Sequence, residues 1–443
     1  MNITEAVSYM CDLAKGQAEQ FDVIASTSHS EGLSVFQGKV QNTEISDSVG
    51  LGVRVIKNGR PGYAHTERLT KDAVAQTLKD ALCHTQWTEK IDISLPSPVE
   101  DRPKDFPNYN PDLESLSLQQ LKDFCIDLEK ATFAKSKDIE NIPYLGADLG
   151  TGSSIIANHT GLFYQGKSNY VSVGAGAVAH RDGIKKLGNY VKSGRNWNDF
   201  SVDEFAARTA QYATELLGAK KIEGGKIPVI FSERVSARII GMYTSSFIAE
   251  SIQKGLSRLA GKDGQKIAGD KLSIWSDPLG ENAANKIRFD SEGCPCRRVE
   301  VVKDGVFNEA LYNLETAAKD HRETTGNGVR DFGSRMGTDF CNLYVPAGAC
   351  TTAELLKLFP KCLLVVRLEG GSGCNAVSGE FSMGAHGFWC ENGVIEHPVD
   401  EVTLSGNFFD IMQNIVDVGN EYKDPFSSNK VPALAVSELS VSV

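Results

Sequence analysis

No part of this sequence is apolar for long enough to cross a membrane. Its longest apolar runs, such as Leu363 to Val366, are far short of the ~20 residues that a transmembrane helix needs. The N-terminus, Met1-Asn2-Ile3-Thr4-Glu5, has no basic segment followed by an apolar one, which a secretory signal would require. We therefore expect a cytoplasmic protein with no membrane partner.

The sequence has no long basic segment and no disulfide-type spacing of cysteines. Lysine and arginine total 46 against 57 aspartates and glutamates, which gives a net charge of −11. Because an acidic surface repels a phosphate backbone, we expect no direct binding to nucleic acid. The 10 cysteines are scattered along the chain, and in a cytoplasmic protein they are expected to be reduced and mostly buried.

The motif of hydrolytic zinc enzymes is also missing. Such enzymes place two metal ligands and a carboxylate close together on one helix, with HExxH-type spacing. No two of the 8 histidines lie within five residues of each other, and none precedes a glutamate. A metal site would have to be assembled from distant segments, and the candidates are His386, His397 and an acidic side chain of the Asn392-Gly393 hairpin.

Three short segments resemble known sites but are incomplete. Cys294-Pro295-Cys296 has no second pair of zinc ligands to accompany it. Asp331-Phe332-Gly333 copies a kinase triplet without the other kinase motifs in the required order. The glycine-rich segment Glu369 to Cys374 lacks the Gly-Lys-Ser/Thr ending of a phosphate-binding loop. We assign none of these chemistries to the chain.

Apolar periodicity and turn residues divide the first half of the chain into two units. Residues 1–95 are expected to form a short helix, strands at 21–26, 32–37 and 50–56 with an Asn58-Gly59 hairpin turn, and a second helix at about 70–83. Residues 94–112 contain several prolines among charges, which discourages helix and central strand alike. A central unit over residues 112–220 follows, with a helix at about 118–134 and then strands and a further helix.

A third unit is expected over residues 222–443, starting with a buried strand from Ile227 to Phe231. It is richer in strands, with hairpin turns at Asp304-Gly305 and Asn392-Gly393, and its helices are expected at about 232–253, 351–359 and 406–416. We predict an α+β chain of two to three parts: N-terminal α/β sandwich-like units, then a C-terminal, mainly antiparallel β domain with helices.

Three stretches of the sequence form a distributed pattern. The first runs from Gly32 to Lys39 and from Gly50 to Ala64, the second from Asp290 to Pro295, Val301 to Val306 and Thr324 to Gly328, and the third from Ser378 to Asn420 with interruptions. In order and chain length they resemble the PmbA/TldD family (peptidase family U62), whose members were once called modulators of DNA gyrase and are now regarded as peptidases.

The resemblance implies a division between a catalytic TldD-like type and a partner type, TldE- or PmbA-like, of similar fold. In TldD-like chains an HExxxH motif supplies two zinc ligands and a general base, and a cysteine near the C-terminus supplies a third ligand. Here Ile240 and Ser245 fall near the two helix positions, and no cysteine follows Asn420. We therefore expect no catalytic, metal-binding or cofactor-binding residue in this chain, and zinc on a TldD-like partner.

By resemblance, the expected function is that of a non-catalytic subunit in a TldD/TldE-type cytosolic metalloprotease, which acts in peptide maturation and in proteolysis of unfolded peptides. The expected partners are a TldD-like catalytic subunit and a peptide substrate, with a homodimer as the alternative for the chain alone. Whether this chain is itself an enzyme stays open. Two other functions also stay open: a stand-alone metallopeptidase using the composite metal site, and a gyrase-modulating binding protein.

A peptide groove is predicted where glycine-lined backbone can hold an extended chain by main-chain hydrogen bonds. The candidate residues are Gly370, Gly371, Gly373, His386 and Trp389. The alternative interpretation is that the glycines form tight turns and that Trp389 belongs to the core.

Overall fold

The structure is a computed structural model that describes residues 1–99, 108–280, 283–423 and 426–443. Its first half is built on one antiparallel sheet with the strand order β3-β2-β1-β4-β5-β6. The strands are β1 (Gln20–Phe36), β2 (Lys39–Lys57), β3 (Arg60–Thr66), β4 (Ile139–Asn158), β5 (Phe163–Arg181) and β6 (Ile184–Gly194). The sheet is continuous between the N-terminal and central units, because β1 pairs with β4 along most of its length.

Four helices pack on this sheet: α1 (Ile3–Ala14), α2 (Lys71–His84), α3 (Leu118–Lys135) and α4 (Val202–Thr214). A polar side chain caps the first turn of each, with Asn2, Thr70, Ser117 and Ser201 accepting a backbone N–H. Val23 and Leu33 of β1 belong to two separate cores, the first under α1 and α2 and the second under α3 and α4. One long strand thus supports both helix pairs.

The second half of the chain contains a larger number of short elements. Its helices are α5 (Ser236–Gly241), α6 (Ala249–Gln253), α7 (Leu314–Lys319), α8 (Thr352–Leu355) and α9 (Phe408–Gln413). Its strands are β7 (Gly225–Phe231), β8 (Ile274–Ser276), β9 (Val299–Lys303), β10 (Val306–Phe307), β11 (Gly328–Val329), β12 (Gly337–Thr338), β13 (Leu343–Tyr344), β14 (Lys361–Glu369), β15 (Glu380–Glu391), β16 (Val394–Asn407), β17 (Ile415–Val418), β18 (Asn429–Lys430) and β19 (Leu434–Ser442).

The main sheet of this half has the order β16-β15-β14-β7-β19-β17. An additional pairing between β16 and β19 closes five of these strands into a ring. Only the β7–β14 pair is parallel among the pairings described for this sheet. A smaller sheet, β10-β9-β8-β13-β18, packs beside it. The α+β class and the mainly antiparallel C-terminal domain are therefore confirmed.

The predicted hairpin turns are observed, because the residues within each turn determine its conformation. Asn58-Gly59, Asp304-Gly305 and Asn392-Gly393 all have positive φ at both residues, as hairpin turns of this kind require. The prediction of one helix over 232–253 was wrong, since that segment forms α5, a 3₁₀ turn at Thr244–Phe247 and α6. The proposed unit boundaries stay a prediction, and residues 100–107 of the first one lie outside the described residues.

In the part of the chain that the structure describes, no helix is long and apolar enough to cross a membrane. The 10 cysteines all lie in that part and are free thiols, of which Cys125, Cys294, Cys362 and Cys390 are buried.

Candidate functional site

The segment after β7 is the place where the family resemblance predicts a metal helix in catalytic chains. Here it is interrupted after Gly241, and the hydroxyl of Thr244 donates to the Gly241 carbonyl at 3.1 Å. The hydroxyl of Ser246 donates to the carbonyl of Ala376, also at 3.1 Å. Hydroxyl groups that bond to nearby backbone compete with helix continuation. The segment is thus fixed against the connection between β14 and β15 and not extended as one helix.

The two positions aligned with metal ligands do not fit a zinc ion. Ile240 is 0% exposed and belongs to the main hydrophobic core of the C-terminal domain. Ser245 is half-buried, and its neutral hydroxyl is a poor substitute for the imidazole, thiolate and carboxylate ligands that zinc prefers. We therefore derive no reaction step through a metal ion at this helix.

The glycine-rich connection between β14 and β15 lies beside this segment. Gly370 and Gly371 have φ of +76° and +155°, values that L side chains rarely adopt. The guanidinium of Arg238 on α5 donates to the carbonyl of Leu368 at 2.6 Å and also to the carbonyl of Gly370. Gly373 accepts from the Ser382 amide at 3.1 Å. The glycines therefore form a turn that α5 holds in place.

Arg238 provides a direct test of how this connection is held. Replacing it with alanine should speed hydrogen exchange at the Cys374 amide, which donates to Gly371 at 3.0 Å. The expected increase is roughly tenfold or more, because a hydrogen bond to a charged group contributes about 1.5–3 kcal/mol. Exchange measured by mass spectrometry would show this, with Arg322→Ala, an exposed arginine elsewhere in the domain, as the control. Equal exchange in both variants would contradict the assignment.

His386 is part of a chain of charges that joins the central unit to the C-terminal sheet. It is 7% exposed, and its Nδ1 contacts Asp400, which also pairs with Lys186 of β6. Its Nε2 faces a Glu369 carboxylate oxygen at 3.4 Å. Burial lowers the pKa of His386, with Glu369 opposing the shift and the nearby cations reinforcing it. The contact between the two domains is thus made by Lys186 and Asp400, and His386 supports Asp400 from within the C-terminal sheet.

Trp389 lies apart from His386 and the glycine turn. In the β14–β15 pairing it faces Leu363, whereas His386 faces Arg367. Its indole N–H donates to Glu391 at 2.9 Å, and its ring packs against the C-terminal core. The structure thus brings His386 to Glu369, which precedes Gly370, but does not bring Trp389 there. Their proposed role in a peptide groove stays a prediction.

The composite metal site is not assembled in the described structure. His397 contacts the Pro398 carbonyl at 3.1 Å through Nδ1. Glu391 of the hairpin accepts from the Trp389 indole and pairs with Lys361, whereas His386 contacts Asp400 and Glu369. Among residues 1–99, 108–280, 283–423 and 426–443, no group of three or more histidine, cysteine, aspartate or glutamate residues is arranged to hold a metal ion.

A buried ion network lies where the N-terminal sheet meets the C-terminal domain, and no sequence motif predicted it. Nε of Arg54 donates to Asp22 at 2.6 Å and its Nη1 donates to Glu292 at 2.9 Å. Arg330 pairs with the second oxygen of Asp22. All four side chains are at most 2% exposed. The sequence signals were two charged residues inside apolar runs, Asp22 in β1 and Arg54 in β2.

Asp290 lies next to this network and links two of the motif stretches. It accepts the backbone N–H groups of Glu292, Cys294 and Gly328, each at 2.9 Å. Burial and the neighbouring Glu292 carboxylate raise the pKa of Asp290 to about 7, against the effect of these donors. The segments Asp290 to Pro295 and Thr324 to Gly328 are therefore joined through one buried carboxyl group.

A cleft lined by basic side chains lies between the central unit and the C-terminal domain. Two adjoining cavities of about 270 and 300 Å³ share Arg234, Arg238 and Lys423 in their walls. Arg234 is fixed by Glu215 at 2.6 Å and by the ring of Tyr212, whose centroid is 3.5 Å from the guanidinium carbon. We call this feature the basic cleft.

The fold and these sites define a three-domain α+β protein that has Ile240 and Ser245 where the family resemblance places the ligands of the metal helix. Models of the PmbA/TldA metallopeptidase family match the chain in three parts: domain 1 at residues 21–82, the central domain at 111–217 and the C-terminal domain at 224–443. The chain belongs to this PmbA/TldD family.

Similar proteins extend over nearly the whole chain. Metalloprotease PmbA of Escherichia coli O157:H7 is 28% identical over 95% of this chain and 91% of that protein. A crystal structure of a protein named as a candidate modulator of a DNA gyrase from Thermotoga maritima MSB8 is 28% identical, with a TM-score of 0.88 and 100% coverage of both chains. TldE from Thermococcus kodakarensis, 19% identical with a TM-score of 0.87 over 99% of this chain and 100% of that one, shares the fold.

Proposed function

We propose that this protein is the non-catalytic subunit of a two-chain cytosolic metalloprotease of the PmbA/TldD family. A TldD-like subunit carries the zinc ion and cleaves the peptide, and this chain completes the complex and guides the substrate. The observation that carries the proposal is Ile240, a fully buried apolar side chain at a position where a catalytic chain needs a metal ligand. The absence of cysteine after Asn420 supports it independently.

Two chains of one fold can present matching surfaces, as the halves of a symmetric dimer do. The same argument makes a homodimer the expected state of this chain when no partner is present. The substrate is an unfolded or partly unfolded peptide, because an extended chain can bind exposed strand edges by main-chain hydrogen bonds. Peptide maturation is one process that such a protease serves. We do not extend gyrase modulation to this chain, because its charge of −11 opposes direct contact with duplex DNA.

The proposal predicts that peptidase activity requires both chains. We would purify this chain, a TldD-like chain of the same organism, and their mixture, and measure cleavage of an unstructured peptide with a fluorophore and quencher at its ends. Activity should appear in the mixture, coincide with a complex in light scattering, and disappear on chelation.

The control is the same mixture in which the glutamate of the partner's HExxxH is replaced by glutamine. It should form the complex and show no cleavage, since the general base is lost. One tightly bound zinc per chain in this protein purified alone, with peptidase activity that a chelator removes, would overturn the proposal.

A further inference from the structure

The basic cleft concentrates positive charge in a chain that is acidic as a whole. Its walls contain five cations, namely Arg234, Arg238, Arg367, Lys423 and Lys430, and two acids, Glu215 and Glu233. Glu369, which pairs with Arg367, lies beside it. Over the whole sequence acidic residues outnumber basic ones, 57 to 46. The net charge of the cleft lining is therefore opposite in sign to that of the chain as a whole, which favours an anionic ligand.

The guanidinium groups in the cleft are held in place before any ligand arrives. Arg234 is clamped between Glu215 and Tyr212. Arg238 is anchored on the carbonyls of Leu368 and Gly370 and is itself exposed. Fixed donors lose less conformational entropy when they bind a carboxylate than freely rotating side chains do.

One wall of the cleft is the edge of the N-terminal sheet. β6 pairs with β5 on one side, and no strand in the described ranges pairs with its other side. Leu187, Gly188, Asn189 and Val191 of β6 line the cavities. Arg367 already donates to the Leu187 carbonyl at 2.5 Å, so the stretch from Asn189 to Val191 is the part of the edge where an extended peptide can add as a further strand.

We propose that the basic cleft binds an acidic, extended segment of the peptide substrate, whose carboxylates face Arg234, Arg238 and Lys423 while its backbone adds to the edge of β6. This inference rests on the proposed function and specifies its substrate class. A peptide is favoured over a nucleic acid because a strand edge offers main-chain partners to amides, which a phosphate backbone lacks, and because the chain as a whole is acidic.

Binding is tested on the full chain alone, so the result does not depend on a catalytic partner. The probes are fluorescein-labelled unstructured 12-residue peptides that carry four glutamates, four glutamines or four lysines at the same positions, measured by fluorescence anisotropy at two salt concentrations. The glutamate peptide should bind roughly tenfold or more tighter than the glutamine peptide and weaken with salt. The lysine peptide should bind more weakly than both. A glutamate peptide in which alternate backbone amides are methylated keeps its charge but loses main-chain donors. It should bind more weakly than the unmethylated glutamate peptide.

Two charge reversals in the protein locate the site. Lys423→Glu and Arg238→Glu should each weaken binding of the glutamate peptide by roughly tenfold, because an attraction is replaced by a repulsion. Lys79→Glu, on the exposed face of α2, makes the same change of net charge elsewhere and should leave binding unchanged. Since Arg238 also holds the glycine turn, Lys423→Glu is the decisive variant if Arg238→Glu fails to fold.

Three outcomes would overturn the inference: equal binding of the glutamate and glutamine peptides, equal binding by Lys423→Glu and Lys79→Glu, or displacement of the peptide by a single-stranded oligonucleotide that binds more tightly. Undiminished binding of the methylated peptide would overturn the pairing with β6. Failure of the proposed function can be told apart from failure of this inference. If only the proposed function failed, the acidic peptide would still bind in the basic cleft while the two-chain mixture would cleave no peptide.

Discussion

Replacing Asp22 with alanine is expected to lower the free energy of unfolding by about 3–5 kcal/mol, the usual cost of removing one partner from a buried ion pair. Asp22 is 0% exposed and is the only carboxylate that contacts both Arg54 and Arg330 among the ion pairs of the described residues. Without it, Arg330 loses its carboxylate and Arg54 keeps only Glu292. Uncompensated charge in a low-dielectric interior is the source of the penalty.

The network also joins two domains. The expected loss in free energy of unfolding is therefore larger than for an ion pair within one domain. Asp22 and Arg54 lie on adjacent strands of the N-terminal sheet, and Glu292 and Arg330 belong to the C-terminal domain. Urea unfolding should be followed by both fluorescence and circular dichroism, because a multidomain chain can leave two-state behaviour. Asp12→Ala is the control, since the Asp12–Lys15 pair is exposed and exposed pairs contribute little. Similar midpoints for both variants would contradict the role of Asp22.

The sequence was sufficient for elements that local chemistry determines. The helices at about 70–83 and 118–134 are observed as Lys71–His84 and Leu118–Lys135, because apolar spacing and a polar cap lie within each segment. The same holds for the Asn-Gly and Asp-Gly turns, whose positive φ is accessible to those residues. The family and the α+β class followed from patterns of this kind spread along the chain.

What the sequence did not reveal depends on contacts between distant segments. The strands predicted at 21–26 and 32–37 form one continuous strand, Gln20–Phe36. Its polar middle stays extended because it pairs with β2 on one side and with β4 on the other. The ion pair of Arg54 with Glu292 joins positions 238 residues apart. His386 was predicted at a groove as an isolated side chain, but it contacts Asp400 of β16, which in turn pairs with Lys186 of β6. Spacing along the chain carries no signal for such pairs.

The Asp331-Phe332-Gly333 triplet, which has no kinase function here, has a packing role instead. The Phe332 ring lies over Gly50, and its backbone lies over Gly52, both on β2. The ring also approaches that of His65 on β3, with the centroids 6.2 Å apart. Two glycines of the first motif stretch thus allow the C-terminal domain to approach the N-terminal sheet at backbone distance.

Gly52→Ala is therefore expected to open the same domain interface that Asp22 stabilises. A Cβ at position 52 would lie 2.1 Å from the Phe332 carbonyl oxygen and 2.8 Å from its carbon, and backbone cannot rotate away as a flexible side chain does. Overpacking of this kind costs about 1–3 kcal/mol or more. Gly174→Ala in β5 is the matched control, because its added Cβ meets only Val191 Cγ2, at 3.5 Å. Urea midpoints should fall for Gly52→Ala and stay near the wild-type value for Gly174→Ala.

The double variant Asp22→Ala/Gly52→Ala separates two explanations of these losses. If both substitutions act by detaching the C-terminal domain from the N-terminal sheet, the second should cost less once the first is present, because the interface is already open. The combined loss in free energy of unfolding should then be smaller than the sum of the two single losses. A strictly additive result would mean that each substitution damages only its own surroundings, and the interface would have to be held by other contacts.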